Sequence, residues 1–129
     1  MAQTQMTSLS AGSLIRDLLM ADGRISHAVT KVFPVVTDTA TLPYIAYRRK
    51  GMVPDVWKGG NADTVSVELM VMAETYEASI SLAEDVRRVL DGRQGESGGL
   101  RMRSCTLADA EEMWQDDAFV QRLVFNIKI

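Results

Sequence analysis

The stretch TVSVELMVMA, residues 64–73, runs through Glu74 into TYEASISLAEDVRRVLDG, residues 75–92, and the change of period between them decides the fold class. In the first part Val65, Val67, Leu69, Val71 and Ala73 share one face, while Ser66, Glu68, Met70 and Met72 share the other. That is the period-two signature of a strand. The second face is only half polar, which implies that something covers it. In the second part the period becomes helical. Thr75 is placed to cap the N-terminus, Glu77 sits in the first turn where negative charge suits the helix dipole, and Gly92 supplies a left-handed stop. Ala78, Leu82, Ala83, Val86, Val89 and Leu90 form the apolar stripe, with Glu84, Asp85, Arg87 and Arg88 on the wet side.

Toward the N-terminus, Tyr44 to Lys50 reads as a strand of aromatic and β-branched residues that Gly51 ends. Val53 to Asn61 holds Pro54 and the pair Gly59-Gly60, and reads as a loop or wide hairpin connection. Further back, Ser10 or Ser13 can cap a helix carrying Leu14, Ile15, Leu18 and Leu19, which Gly23 ends. Ile25, Ala28, Val29 and Val32 then form a short helical or extended piece, broken at Phe33-Pro34. Val35 to Leu42 is a loop, and residues 1–8 are a flexible leader that leaves 9–129 as one domain. Toward the C-terminus, Gly92 to Gly99 is a polar connector and the most flexible interior segment. Leu100 to Thr106 alternates weakly, Asp109 to Trp114 is a second short strand, and Gln115-Asp116-Asp117 is a turn. Ala118 to Ile129 is a strand with Phe119, Leu123, Phe125, Ile127 and Ile129 on one face, interrupted by Gln121. These elements predict an α+β fold: a twisted, mostly antiparallel sheet of about four to five strands with two main helices on one face.

The 129 residues suit one domain with an ordinary core, hydrophobic residues making up 47%. A formal charge of −3 gives no footprint for DNA or for anionic membrane. No apolar run of about 18 residues exists for a membrane span, and the polar start argues against a signal peptide. The eight methionines are scattered at positions that periodicity buries.

Chemistry is thinly represented. His27, the single histidine, has no cysteine or carboxylate at metal-ligand spacing, so it reads as a surface or cap residue. Cys105, the single cysteine, excludes an internal disulfide and fits folding in a reducing cytoplasm. Arg101 and Arg103 share its predicted strand face and could lower its pKa, but a half-buried structural thiol is the simpler expectation. The densest acidic cluster is Asp109, Glu111, Glu112, Asp116 and Asp117. A metal-dependent hydrolase would need these to converge, yet the strand period sends Glu112 to the opposite face from Asp109 and Glu111. A solvated hairpin is the simpler reading; a negative wall that DNA passes without sticking is another. The glycine-rich segment 92–99 lacks the lysine ending of a phosphate loop and follows a helix. Arg48-Arg49-Lys50 is a basic triplet at a strand end, where charge also serves to block unwanted pairing. Trp57, beside Lys58 and Gly59-Gly60, and Trp114 are interface candidates, because tryptophan is enriched at binding hot spots. No catalytic site, cofactor or metal is expected.

Several residues taken together resemble a phage family. They are the N-terminal helix, Val32-Phe33-Pro34, Leu42-Pro43-Tyr44-Ile45-Ala46-Tyr47, Gly51, Pro54-Asp55, the run Val71 to Ala78, Leu82 to Arg87 and the closing Arg122 to Ile127. Their order resembles the small tail-completion proteins of siphophages and prophages, similar in size and position to the lambda tail terminator. The resemblance covers roughly residues 14–129. It implies a homo-oligomeric ring, usually hexameric, that caps the tail tube, ends its polymerisation and helps join tail to head. It implies tail-tube and head–tail connector proteins as partners, DNA passing through without specific binding, and a place in the virion tail or neck after assembly in the host cytoplasm. A head–tail connector or minor neck protein is the alternative. The family lends no catalytic residues, so interface residues are nominated from chemistry alone: Trp57, Lys58, Arg48, Arg49, Trp114, Glu111, Asp116 and Asp117.

Overall fold

The computed structural model describes residues 7–35, 41–57, 60–97 and 99–129. A 3-10 turn at Ser8–Ser10 leads into α1 (Ala11–Ala21) and a short α2 (Gly23–Ala28). Then come β1 (Lys31–Pro34), β2 (Tyr44–Trp57), β3 (Gly60–Ala73) and α3 (Tyr76–Leu90). A ribbon of β4 (Gly95–Ser97) and β5 (Leu100–Met102) precedes β6 (Ser104–Gln115) and β7 (Ala118–Lys128). Five strands make one mixed sheet in the order β1-β2-β3-β7-β6, antiparallel except for the β1–β2 pair. This is the expected α+β architecture.

Because β3 pairs with β2 on one side and β7 on the other, it is the central strand. Its row of Val65, Val67, Leu69, Val71 and Ala73 is buried. Val65 to Val71 join a core with Leu14, Ile15 and Leu19 of α1, Ile25 of α2, and Leu82, Val86, Val89 and Leu90 of α3. All three helices therefore cover one face. The local devices at α3 are those the residues dictate. Thr75 Oγ1 accepts from the Ala78 N–H, and Gly92 takes φ +79°, a conformation that side-chain-bearing residues resist. In the stripe, Ser79 is buried in place of Ala78, which is exposed. Its hydroxyl donates to the Tyr76 carbonyl and accepts from Gln121 Nε2, which explains the polar interruption in β7.

Other expectations are corrected. Gly23 does not end a helix but opens α2, because the Asp22 side chain accepts from the Ile25 N–H and caps the new helix. Most of Val53 to Asn61 is strand rather than loop. β2 and β3 stay paired out to Trp57 opposite Gly60, since the ladder compensates for one proline and two glycines. Residues 58–59 fall outside the described residues, as do 36–40 of the expected loop after Val35 and 1–6 of the leader. Thr7 and Ser8 are tied down, Ser8 Oγ donating to Asp63 Oδ2 at 2.6 Å. The connector 92–99 contains β4, held by β5, and residue 98 is not described. Asp109 to Trp114 is the distal half of a twelve-residue strand, offset by a bulge between Leu107 and Asp109.

Gly12 shows how closely α1 sits on the sheet. A Cβ there would lie 2.9 Å from Cε2 of the buried Tyr47 ring. Alanine normally favours a helix interior over glycine by about 1 kcal/mol. Here Gly12→Ala is expected to destabilise the fold by about 1–3 kcal/mol, because the ring must move. Urea unfolding reads the sign directly.

Candidate functional site

The face of the sheet that carries no helix is built around one buried carboxylate. Register places Arg48 opposite Glu68 and Glu111 opposite Arg122. Glu68 accepts from Arg48 Nε at 2.9 Å and from Arg122 Nε at 2.7 Å. Arg122 reaches on to Asp109 at 3.4 Å and Glu111 at 3.8 Å. Burial alone would raise the Glu68 pKa, but the two guanidinium groups outweigh it and hold the carboxyl below its ordinary range. Beside this chain of charges lies an apolar patch. Met72, Ala118 and Val120 are buried there, with Leu42, Tyr44, Met70 and Met113 packed against them half-exposed. The half-polar face read from the sequence is thus charged at one end and apolar at the other.

One margin of the sheet is β6. Its start is closed by the Gly92 N–H donating to the Cys105 carbonyl at 2.7 Å and the Leu107 N–H donating to Asp91 Oδ1 at 3.0 Å. That backbone bond, chiefly, holds the Asp91 carboxyl below its usual range. The distal half carries Asp109, Glu111, Glu112 and Trp114 and, among the described residues, has no partner strand on its outer side. Trp114 is 58% exposed, its ring 4.7 Å from Phe119, which in turn stands edge-on to Tyr76 at 5.9 Å. Tyr76 Oη donates to Glu112 Oε2 at 2.9 Å, and a shallow pocket of about 220 Å³ opens among Tyr76, Glu112, Trp114 and Phe119.

The β6–β7 turn consists of Asp116 and Asp117, both at positive φ (53° and 58°). That backbone twist suits a tight hairpin, and glycine adopts it with least strain at the second position. Asp117→Gly relieves a left-handed cost of about 1 kcal/mol but gives the unfolded chain more freedom, so a small net rise in the urea midpoint, about 0.5 kcal/mol or less, is expected.

The opposite margin is β1 with the half of β2 that extends past it. β1 pairs with β2 only as far as Tyr47, and a bulge between Arg49 and Gly51 follows. Arg49 Nη1 donates to the Leu9 carbonyl at 3.1 Å. A groove of about 280 Å³ lies here, lined by Leu9, Ser13, Pro34, Val35, Arg48 and Arg49 among others. Leu9 and Val35 are both more than half exposed.

The nominated residues therefore separate. Arg48 and Glu111 belong to the charged chain on the open face, Arg49 to the groove, and Trp114, Asp116 and Asp117 to the β6 margin. Trp57 ends β2, but its side chain lies outside the described residues, as does Lys58. Cys105 is fully buried rather than half-buried, and Arg101 and Arg103 do not share its strand, because the chain breaks between β5 and β6. Burial, with the Asp91 charge second, pushes the thiol up to about 12. Cys105 is expected to resist thiol reagents at neutral pH until the protein unfolds, which a timed labelling assay with and without urea checks. His27 is exposed, its Nδ1 2.6 Å from the Gly23 carbonyl oxygen. The carboxylates of β6 split between the two faces as their spacing predicts. Among the described residues no group of three or more His, Cys, Asp or Glu is placed to hold a metal ion. No described helix is long and apolar enough to cross a membrane.

Sequence reasoning missed the pairing role of Glu68 and Arg122, and the contributions of Tyr76, Leu9 and Val35. A buried charge at the centre of a strand next to two arginine-bearing strands was the available signal for the first pair. Nothing local marks the others.

No curated protein matches the chain. Among solved structures it is similar to a chain of the virion of the native gene transfer agent particle, with a TM-score of 0.81, 16% sequence identity, and coverage of 95% of this chain and 98% of that one. At that identity the likeness shows a shared fold. Residues 13–129 match the family described as tail completion protein gp17. A match over nearly the whole chain is decisive, and this protein belongs to the tail completion protein gp17 family.

Proposed function

We propose that residues 9–129 act as one domain that assembles into a homo-oligomeric ring, hexameric as in similar tail terminators, capping the tail tube and ending its polymerisation. Family membership gives the chain a structural role in phage tail assembly, and the capping role is the finer reading of it. The observation that carries this reading is the family match across residues 13–129. The shared fold with a chain of a gene transfer agent virion supports a position in the particle. Two sheet margins of different character, β6 on one side and β1 with β2 on the other, support a ring, since each subunit of a ring must meet a neighbour on two different surfaces. On this reading the partners are further copies, the tail-tube protein and a head–tail connector, with DNA passing through the centre. Assembly takes place in the host cytoplasm, and the finished ring sits at the tail–neck junction, where it helps join tail to head.

The test is binding. Purified chain is mixed separately with tail tubes and with DNA-filled heads of the same phage, then imaged by electron microscopy. Added density at one end of the tubes is expected. Density on heads and none on tubes would mean a connector or neck protein instead.

A further inference from the structure

The large apolar side chains that stand exposed among the described residues are not scattered. Tyr76 and Trp114 lie at the β6 margin, while Leu9, Val35 and Val53 lie at the β1–β2 margin. Charge divides the same way. From Ser104 to Ala118 the chain carries Asp109, Glu111, Glu112, Asp116 and Asp117 and no lysine or arginine. From Tyr44 to Pro54 it carries Arg48, Arg49 and Lys50 and no acid. One margin is an acidic edge with an aromatic knob; the other is a basic edge with an apolar groove. We infer that the Trp114 margin of one copy docks, head to tail, on the Leu9–Val35–Arg49 groove of the next. This rests on the ring reading above and names its subunit contact.

Three observations support a second copy as the occupant. Trp114 offers a large ring to a groove lined by Leu9, Pro34, Val35 and Tyr47 together with Arg48 and Arg49, so apolar burial and a cation over an aromatic face are both available. The acids around Trp114 are opposite in sign to those arginines, which steers encounter and fixes orientation. The same charges also act against the alternatives. A symmetric dimer through β6 would set carboxylates against carboxylates, and one through β2 would set cations against cations. Only the unlike margins attract, and a contact between unlike surfaces generates a ring or a filament rather than a closed dimer. Charging edges merely to prevent pairing needs neither opposite signs nor an exposed tryptophan. The knob lies on the helix side of the sheet, and the groove wraps round the β1–β2 margin from that side to Arg48, which reaches Glu68 on the open face. Trp114 pairs with Phe119 on the helix side, where the groove is walled by Ser10, Gly12 and Ser13. The contact leaves the apolar patch of Met72, Ala118 and Val120 on the open face free for another neighbour.

The experiment uses the full chain with two variants, Trp114→Asp (knob) and Val35→Asp with Arg49→Glu (groove). Sedimentation across a concentration range is measured alone and with tail tubes, with circular dichroism to confirm folding. Each variant alone is expected to stay monomeric, its assembly midpoint raised by about 30-fold or more, as for a lost hot spot. Mixed in equal amounts, the two variants retain one intact knob and one intact groove, so they should form a 1:1 heterodimer that grows no further. Normal assembly by both variants would overturn this contact while leaving the ring reading standing. A native chain that stays monomeric at every concentration and on tail tubes overturns both. If either variant fails to fold, the pair Gln115→Cys and Ser13→Cys in one chain serves instead, because these exposed positions flank the knob and the groove and leave both intact, with Cys105 buried out of reach. Oxidation of assembled chain should give a ladder of covalent oligomers, and its absence from assembled material sinks the contact.

Discussion

Phe125→Ala is expected to lower the stability of the chain by about 3–5 kcal/mol, the range for emptying a fully buried aromatic position. For a chain of this size that corresponds to a fall in Tm of about 10–20 °C. The reason lies in its position. Phe125 is fully buried on the helix side of β7, with Val67 of β3 opposite it on one side and Leu107 of β6 on the other. Its ring is the largest of the fully buried side chains among the described residues and belongs to the core beneath the helices. Neither neighbouring strand can move in to fill the space without losing its ladder, so most of the cavity would persist. Thermal or urea unfolding monitored by circular dichroism gives the number. A loss below about 1 kcal/mol would mean that this core is far looser than described.

The second large effect is at Glu68. Replacing it with alanine leaves Arg122, only 15% exposed, facing Arg48 with no anion between them. Breaking a buried ion pair from one side costs about 3–5 kcal/mol when both partners are buried. Arg48 is half exposed and can turn to water, and Arg122 keeps Asp109 and Glu111 as exposed partners, so about 1–3 kcal/mol is expected at neutral pH. Acidity gives an independent check. Burial raises the carboxyl's pKa, but Arg48 and Arg122 pull it lower than burial lifts it, below its ordinary value of 4.5. A carboxylate held down in the folded state adds stability above the unfolded value and loses it as pH falls through the folded one. The native chain should therefore weaken as pH drops below about 4.5, and Glu68→Gln should remove that part of the slope. A native and a Glu68→Gln profile of equal slope through that window would show that the arginines do not hold the charge.

The strand and helix at 64–92 could be read because each carries a full period of its own type and explicit stop signals at Thr75 and Gly92. The two faces of β3 and of β7 followed from the same alternation, down to the interruption at Gln121. What could not be read was decided by pairing between distant residues. Pro54 and the glycines at 59 and 60 mark a loop by local rules, yet the hairpin ladder carries strand structure out to Trp57. β1 is four residues long and parallel, held by partners it meets only through the fold. Gly23 looks like a helix end until Asp22 is seen capping a second helix across it.

The candidate contact surfaces divide in the same manner. Trp114 and the acids of β6 stood out by composition. The groove across the sheet is made from Leu9, Val35 and Arg49, three segments far apart in sequence, and no local pattern could assemble it. Arg48 and Glu111 stay about half exposed, yet each joins the chain of ion pairs on the open face, Arg48 to Glu68 and Glu111 to Arg122. Their effect on assembly is thus mixed with an effect on stability. Trp114 and Val35 are the cleaner positions for separating the two.

The central claim is that this chain stops tail-tube growth. The direct measurement is the length of tubes formed by the tail-tube protein of the same phage, with and without added chain, by electron microscopy. Short tubes bearing density at a single end, at amounts of chain far below the tube protein, are the predicted result. Tubes that grow to the same length with bare ends would contradict it.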